Sequence, residues 1–596
     1  MPSLPERLKP ILAQPVLPAV LVWLALCALF ATRAWDSNFL ALFGDTDDAT
    51  RLVVVRDLMG GQNWFDHVQY RFNTPYGAEI HWSRLIDAPL WALIALGNLF
   101  AFGQGERVAL FVWPLFWLLP ALWLTAKLTD RLLGPGNILA ALFLAALTVP
   151  VVSEFAPGRI DHHNVQMVLV LWLMLETLNA PRSNSAALKA GIAAATSLAI
   201  GAETLPVIVA AIMAFGLFWV RDKGFAPRLG RFGASLAGAM LIHFLVAVGP
   251  ADWLAAHCDA LSLVYVVAAF GIAAVFFGLG ALPLPEEARL PRLGFGLAGG
   301  ALIGVVLFEL FPSCAAGPYA ALDPFLRHAW LANIVEARPY LTSLASLPAY
   351  TLAVSLPLFL ALGAGIHRLV TTRAAARGDW LGYVLLLAFA IVGMMLQLRG
   401  VRLAALMAVP GGVALVAMLR ARYLARQGPS KIGAAFALVA GWVGMAGVVL
   451  FMLASLVFPA GSNDAGASPL AACLSEPAFE PLARLSPARI AAPVDLGPYI
   501  VLMTPHATIG SPYHRNTEGI GDSLRVFGAD EEAAWRVIAR RGIDLVVMCD
   551  DMLAVIGNGF GDANSLKALF EAGGQPDWLT PVAVPAGALK VYRVAR

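Results

Sequence analysis

Long apolar runs separated by short polar connectors dominate this 596-residue chain. Thirteen such runs stand out, at 16–32, 108–126, 136–152, 164–178, 186–200, 204–220, 233–249, 261–283, 294–311, 350–368, 380–397, 403–419 and 433–457. A helix needs roughly 20 residues to cross a bilayer, so flanking residues must complete the shorter runs. The pattern predicts a polytopic α-helical membrane protein. One further apolar stretch, Asp87–Gly103, is short and interrupted by Gly97 and Asn98, and reads as interfacial or re-entrant.

After residue 457 the pattern changes. A Gly/Ser/Asn/Asp linker (Gly461–Ser468) leads into mixed α/β periodicity. Asp530 reads as the N-cap of a helix running to about Arg541, followed by a strand over Ile543–Met548, a helix over Ser565–Ala572 and a strand over Ala588–Val594. The chain thus divides into a transmembrane domain, 1–457, and a small α/β domain, 458–596, large enough to bury its own core. Cys473 and Cys549 in that second domain read as a disulfide, with two buried thiols as the alternative.

Basic residues set the orientation. With the N-terminus cytoplasmic, Lys127–Arg131, Pro181-Arg182, Arg221–Arg231, Glu286–Arg292, Arg368–Arg377 and Arg420–Lys431 all fall inside. The outer face then receives loops 33–107, 153–163 and 312–349 and the α/β domain, which would be periplasmic or extracellular. Arg399-Gly400-Val401-Arg402 also falls outside, against the charge bias, as an anionic ligand at that face would explain. An interfacial anchoring role is the plainer reading of the two arginines.

Composition agrees. The chain is 59% hydrophobic and 13% charged, against about 25% charged in soluble domains. A net charge of +2 without a basic stripe excludes nucleic acid as partner. Five cysteines without a CxxC spacing exclude a zinc finger. Arg7 and Lys9 before Val16–Thr32 resemble a signal peptide, but Arg33-Ala34-Trp35-Asp36 is a poor cleavage site, so a first span is expected.

Chemistry concentrates in the outer loops. In Gly158-Arg159-Ile160-Asp161-His162-His163-Asn164, Asp161 and His163 are spaced to point at one locus, as a small metal site requires. Gly44-Asp45-Thr46-Asp47-Asp48 offers another acid if the two loops meet. Helix capping and an interfacial polar loop are the ordinary readings of these motifs. Glu336 lies in the third loop, and Thr504-Pro505-His506 and Tyr513-His514-Arg515-Asn516 gather polar and aromatic groups in the tail. A transporter or lipid flippase would place its ionisable residues near mid-membrane and often show repeated halves; these acids sit in loops and no repeat is visible. Glu176 and Glu203, in or beside spans, have no assigned role.

Asp45-Thr46-Asp47-Asp48-Ala49-Thr50-Arg51-Leu52, continuing to Tyr76–Trp82 and Leu85-Ile86-Asp87, resembles the catalytic subunits of oligosaccharyltransferases, archaeal ones especially, within the GT-C glycosyltransferases. Gly158–Asn164 is similar to their second acidic motif in its Asp-x-His form, and Asn333–Glu336 to their Thr-Ile-x-Glu element with Asn for Thr. Arg402-Leu403 with Ala408-Val409-Pro410 resembles their arginine-bearing span. The resemblance implies a GT-C fold of about 13 transmembrane helices and a glycosyltransferase that uses a polyprenyl-linked sugar donor. It further implies Mg²⁺ or Mn²⁺ held by Asp45, Asp161 and His163, with Arg402 and Arg399 at the donor phosphates. Asp45 and Glu336 would orient and polarise the acceptor, a lipid, glycan or peptide. The family's Trp-Trp-Asp-Tyr-Gly motif is matched only by Pro493-Val494-Asp495-Leu496-Gly497, which keeps Asp and Gly and lacks both tryptophans. Asp495, Tyr513 and His514 are therefore the acceptor-side candidates, and transfer to an acceptor other than a protein asparagine is expected, with protein N-glycosylation as the alternative.

Overall fold

The computed structural model describes residues 14–35, 37–317, 319, 322–459, 473–549, 561–583 and 589–595. Helices dominate the first three-quarters of the chain. Nine of the described helices are long and apolar enough to cross a membrane, or ten if Pro429–Met445 and Gly447–Val457, bent by 96°, form one span. The expected spans 164–178 and 186–200 are 17-residue helices, His163–Asn179 and Asn184–Ile200. His163–Asn179 sits inside the bundle, with nearly every residue buried, whereas Asn184–Ile200 leaves Leu188 and Ile192 exposed on one face. The expected span 136–152 breaks into Ile138–Ala146 and Val149–Glu154, with Pro150 opening the second piece.

Small residues set the closest approaches, as expected where apolar surface alone gives helices no preference over lipid. Asn184–Ile200 packs on Ala226–Ala247 at Gly191, where a Cβ would lie 2.6 Å from the Phe232 carbonyl oxygen. By contrast Arg289–Leu310 buries only Arg292 and lies at the periphery. The apolar stretch expected to be interfacial or re-entrant is the 17-residue helix Arg84–Phe100, which reverses sharply into Gly105–Leu133.

The tail forms a five-stranded sheet of order β4-β3-β5-β7-β6, comprising Arg489–Ala491 (β3), Ala507–Thr508 (β4), Leu545–Met548 (β5), Leu579–Pro581 (β6) and Lys590–Val594 (β7). β3 runs parallel to β4 and β5, whereas β7 is antiparallel to β5 and β6. Asp530 caps the helix Glu531–Arg541 by accepting from the Ala533 amide at 2.7 Å. Cys473 and Cys549 are joined, and a second disulfide, Cys258–Cys314, links two outer segments. The expected linker Gly461–Ser468 lies outside the described residues.

The tail domain and the first outer loop share one apolar core, in which Leu52, Val53 and Phe72 pack with Phe479, Leu496 and Ile500. Backbone bonds run between them: Thr74 N–H donates to Thr508 O at 3.1 Å and Thr508 N–H to Arg71 O at 2.8 Å. The buried Arg541 guanidinium adds bonds to Thr74 O (2.9 Å) and Asn73 Oδ1 (3.0 Å). The sheet is thereby clamped onto the first loop.

Candidate active site

Loops 33–107 and 153–163 meet, and a glycine makes the contact possible. Gly158 has φ +96°, and a Cβ there would lie 1.8 Å from the Leu42 carbonyl oxygen. Its amide donates to Leu110 O at 2.7 Å. Beyond it, the Ile160 and Asp161 amides both donate to Asp48 Oδ1, at 2.9 and 3.0 Å. Asp48 Oδ2 pairs with Arg159 at 2.6 Å, and the same guanidinium reaches Asp45 (2.5 Å) and Glu154 (2.7 Å). Asp48 and Arg159 together bond the two acidic motifs into one unit.

Asp161 then faces His163. Its Oδ1 accepts from Arg51 at 2.9 Å and pairs with His162 Nδ1 at 2.6 Å. Its Oδ2 is buried without a hydrogen-bond partner, 3.3 Å from His163 Nε2. Burial opposes the Asp161 carboxylate, but His162, His163 and Arg51 outweigh it and hold its pKa well below the usual range. His163 Nδ1 lies 3.3 Å from Glu203 Oε2, and Nε2 accepts from Arg402 Nη1 at 2.7 Å. An arginine N–H can only donate, so Nε2 is the acceptor in that contact and Nδ1 faces Glu203. Burial and Arg402 oppose a charge on the ring, but Glu203 and Asp161 outweigh them and push its pKa up to about 9. The ligand atoms of Asp161, His162 and His163 all lie within 4.8 Å of one another.

The first loop supplies its acid differently from expectation. Asp45 is the N-cap of helix Thr46–Met59: Oδ1 accepts from the Asp47 amide (2.9 Å) and the Asp48 amide (3.3 Å), while Oδ2 takes Arg159. Both oxygens of Asp45 are engaged in holding the loop. Two residues on, Asp47 lines the cavity. Burial and the neighbouring carboxylates Asp45, Asp161 and Glu336 hold its carboxyl well above the usual range. Acids crowded in this way are relieved by a cation. Either member of the Asp-Thr-Asp spacing could have been chosen from sequence; helix-cap geometry separates them.

The third loop and the arginine turn complete the floor. Glu336 pairs with Arg402 Nη2 at 2.7 Å and Arg399 at 3.3 Å, and the two guanidiniums outweigh burial to lower its pKa. Arg399 also binds Glu203 (3.0 Å), and Arg402 binds Glu154 (3.0 Å). Asn333 donates to Ala329 O at 2.9 Å and caps its own turn. Sequence reading missed Glu154 and left Glu203 without a role. The available signal for Glu203 was an ionisable residue at the end of a span.

These groups open into a cavity of about 1260 Å³ that Trp82, Tyr319, Trp330, Tyr350 and Tyr499 also line. Of the acceptor-side candidates, Asp495 is exposed to this cavity. Tyr513 and His514 line it too: Tyr513 Oη accepts from the His81 amide (2.7 Å), and His514 Nε2 bonds Asp259 (2.8 Å). His506 is buried, with Nε2 on Leu482 O at 2.8 Å, and does not line this cavity. The donor set fits a divalent cation: an orphaned carboxylate oxygen, an imidazole whose Nε2 lies 3.3 Å from it and a crowded second carboxylate.

No family model and no curated protein matches the sequence. Solved structures do. The archaeal oligosaccharyltransferase AglB from Archaeoglobus fulgidus, in complex with an inhibitory peptide and a dolichol-phosphate, superposes with a TM-score of 0.67 at 15% identity, over 97% of this chain and 74% of that one. The apo form from the same organism gives 0.64 at 16% identity, over 90% and 70%. Its complex with Zn and sulfate gives 0.60 at 16% identity, over the same shares. The chain therefore has the GT-C fold in its oligosaccharyltransferase-like form.

Proposed function

We propose that this protein is a metal-dependent membrane glycosyltransferase that moves a sugar or oligosaccharide from a polyprenyl-(pyro)phosphate to an acceptor. The observation that carries the reading is the meeting of Asp161 Oδ2 and His163 Nε2, 3.3 Å apart, with Arg402 on the same Nε2 and both His163 and Arg402 lining one cavity. The A. fulgidus structures hold dolichol-phosphate in one case and Zn with sulfate in another, so this fold accommodates both ligand types elsewhere.

Asp47, Asp161 and His163 would hold Mg²⁺ or Mn²⁺, which when bound supplies Lewis-acid neutralisation of the leaving diphosphate. Arg402 and Arg399 add positive charge for the same oxygens. Glu203 fixes the His163 tautomer. Glu336 orients the acceptor nucleophile, which attacks the anomeric carbon as the bond from that carbon to the phosphate oxygen breaks. The aromatic wall excludes water from the reacting centre.

The cavity opens at the periplasmic or outer face of the cell membrane, with the N-terminus cytoplasmic. Both disulfides belong to that side, where thiols persist paired. A lipid or glycan acceptor is favoured, because Val494 and Asp495 line the cavity where the resemblance would place a tryptophan pocket. A peptide acceptor is the second reading, supported by a similar structure tethered to an acceptor peptide.

The test is release of glycosyl groups from a polyprenyl-diphosphate-linked donor pool by purified protein, with Mn²⁺ and with chelator. Turnover that requires Mn²⁺ and disappears in Asp161→Ala and Asp47→Ala supports the reading. Turnover that survives both chelation and substitution sinks the metal site, and absence of any donor consumption sinks the enzyme.

A further inference from the structure

A second convergence of ligand-type side chains lines the same cavity, built from three separate segments. His81 follows the short strand Ala78–Glu79, Asp259 adjoins the Cys258–Cys314 disulfide, and His514 belongs to the tail domain. Their ligand atoms lie within 4.8 Å of one another. His514 Nε2 is 2.8 Å from Asp259 Oδ2, and the His81 and His514 ring centroids are 4.9 Å apart.

Each group is held in place from outside the cluster. The His81 ring stacks on Tyr513 at 5.3 Å, and its backbone amide bonds the Tyr513 hydroxyl. Arg515 grips both oxygens of Asp259, at 2.9 and 2.8 Å, and its third nitrogen is neutralised by Glu79 at 2.6 Å. An ion-pair latch among Asp259, His514 and Arg515 accounts for those three residues. It leaves His81 unexplained: Nδ1 is buried and has no hydrogen-bond partner. Buried polar atoms are rarely left so.

We infer that His81, Asp259 and His514 form a second metal site, of zinc type, that fastens the tail domain to the first outer loop and to the segment before Leu263–Ala281. Two imidazoles and one carboxylate make a borderline-soft donor set that suits Zn²⁺. Mg²⁺ and Mn²⁺ favour oxygen-rich sites. The role is structural: Zn²⁺ bound only to the docked arrangement stabilises it by mass action.

The experiment uses the full-length protein in detergent, stripped with chelator and reloaded with Zn²⁺, with bound zinc counted by mass spectrometry and the thermal transition recorded. His81→Phe keeps the ring stack and removes only the ligand, and His514→Gln is an independent second variant. Asp161→Ala reports on the Asp161–His163 centre. The expected result is one zinc retained by Asp161→Ala and lost from His81→Phe and His514→Gln, with zinc raising Tm in the first but not in the other two. Co²⁺ substituted into Asp161→Ala should give the visible absorption of a four-coordinate ion. The inference is overturned if folded His81→Phe or His514→Gln keeps the wild-type zinc count. It is equally overturned if wild type holds no zinc beyond what Asp161→Ala loses.

Discussion

Nη1 of Arg402 donates to Nε2 of His163 across 2.7 Å, joining residues 239 apart in sequence. The same guanidinium binds Glu154 and Glu336, so one side chain ties three outer segments to the ring. Lysine carries the charge but cannot reproduce the forked geometry. Arg402→Lys should therefore lower kcat/KM for the lipid-linked donor by about 10–100-fold while the protein still folds, since supporting groups around a metal centre cost about that much. A variant with wild-type donor kinetics would remove Arg402 from the phosphate site.

Asp45 and Asp47 should separate in a paired measurement of stability and turnover. Asp45→Ala removes a helix cap, worth about 1 kcal/mol, and a partner of Arg159, so its main effect is a lower Tm. Asp47→Ala relieves repulsion among carboxylates and should leave Tm of metal-free protein equal or higher. Its turnover should fall by more than the ~10–100-fold typical of a supporting residue. The reverse pattern would return the metal to Asp45.

Glu154 carries a pH signature. Burial opposes its charge, but Arg402 and Arg159 outweigh burial and bring its pKa from 4.5 to about 2. A carboxyl depressed in the folded state contributes stability that is present above its unfolded pKa and lost as pH falls through the folded one. Tm should thus be insensitive to this group above about pH 5 and decline between about 4.5 and 2. In Glu154→Gln that portion of the acid limb should disappear, as differential scanning fluorimetry from pH 7 to 3 would register.

Gly158→Ala and Gly61→Ala both place a side chain at positive φ, +96° and +99°. Around Gly61 a Cβ meets nothing within 4 Å, so the cost is the backbone preference alone, about 1–2 kcal/mol. At Gly158 it meets the Leu42 carbonyl at 1.8 Å, which must move and take the acid-bearing loops with it. Gly158→Ala should lower both Tm and metal affinity, and Gly61→Ala should lower Tm only slightly.

Much of this was legible from the chain. Apolar runs locate the helices because lipid permits little else in their place. Asp530 and the charges after it marked a helix that the structure places over Glu531–Arg541. Span lengths were less readable, since helices such as His163–Asn179 lie inside the bundle and are not cut to bilayer thickness. At the site, spacing alone singled out Asp161 and His163, which the structure brings to 3.3 Å of each other. It could not distinguish Asp45 from Asp47, because that choice depends on which carboxylate the helix start consumes. Glu154 and Glu203 were hidden for a related reason: each joins the site through an arginine about 200 or more residues away.

The core shared by the first outer loop and the tail domain also has a timetable. Leu52, Val53 and Phe72 are made early, whereas Phe479, Leu496 and Ile500 are among the last quarter of the chain to emerge. At about 5–20 residues per second, that interval is roughly 20–90 s of synthesis during which the early half has no later half to meet. Throughout it, the apolar residues of the loop that carries Asp45 and Asp47 lack the partners they pack against in the finished fold. Biogenesis of this protein therefore depends on whatever shelters that loop until its partner arrives.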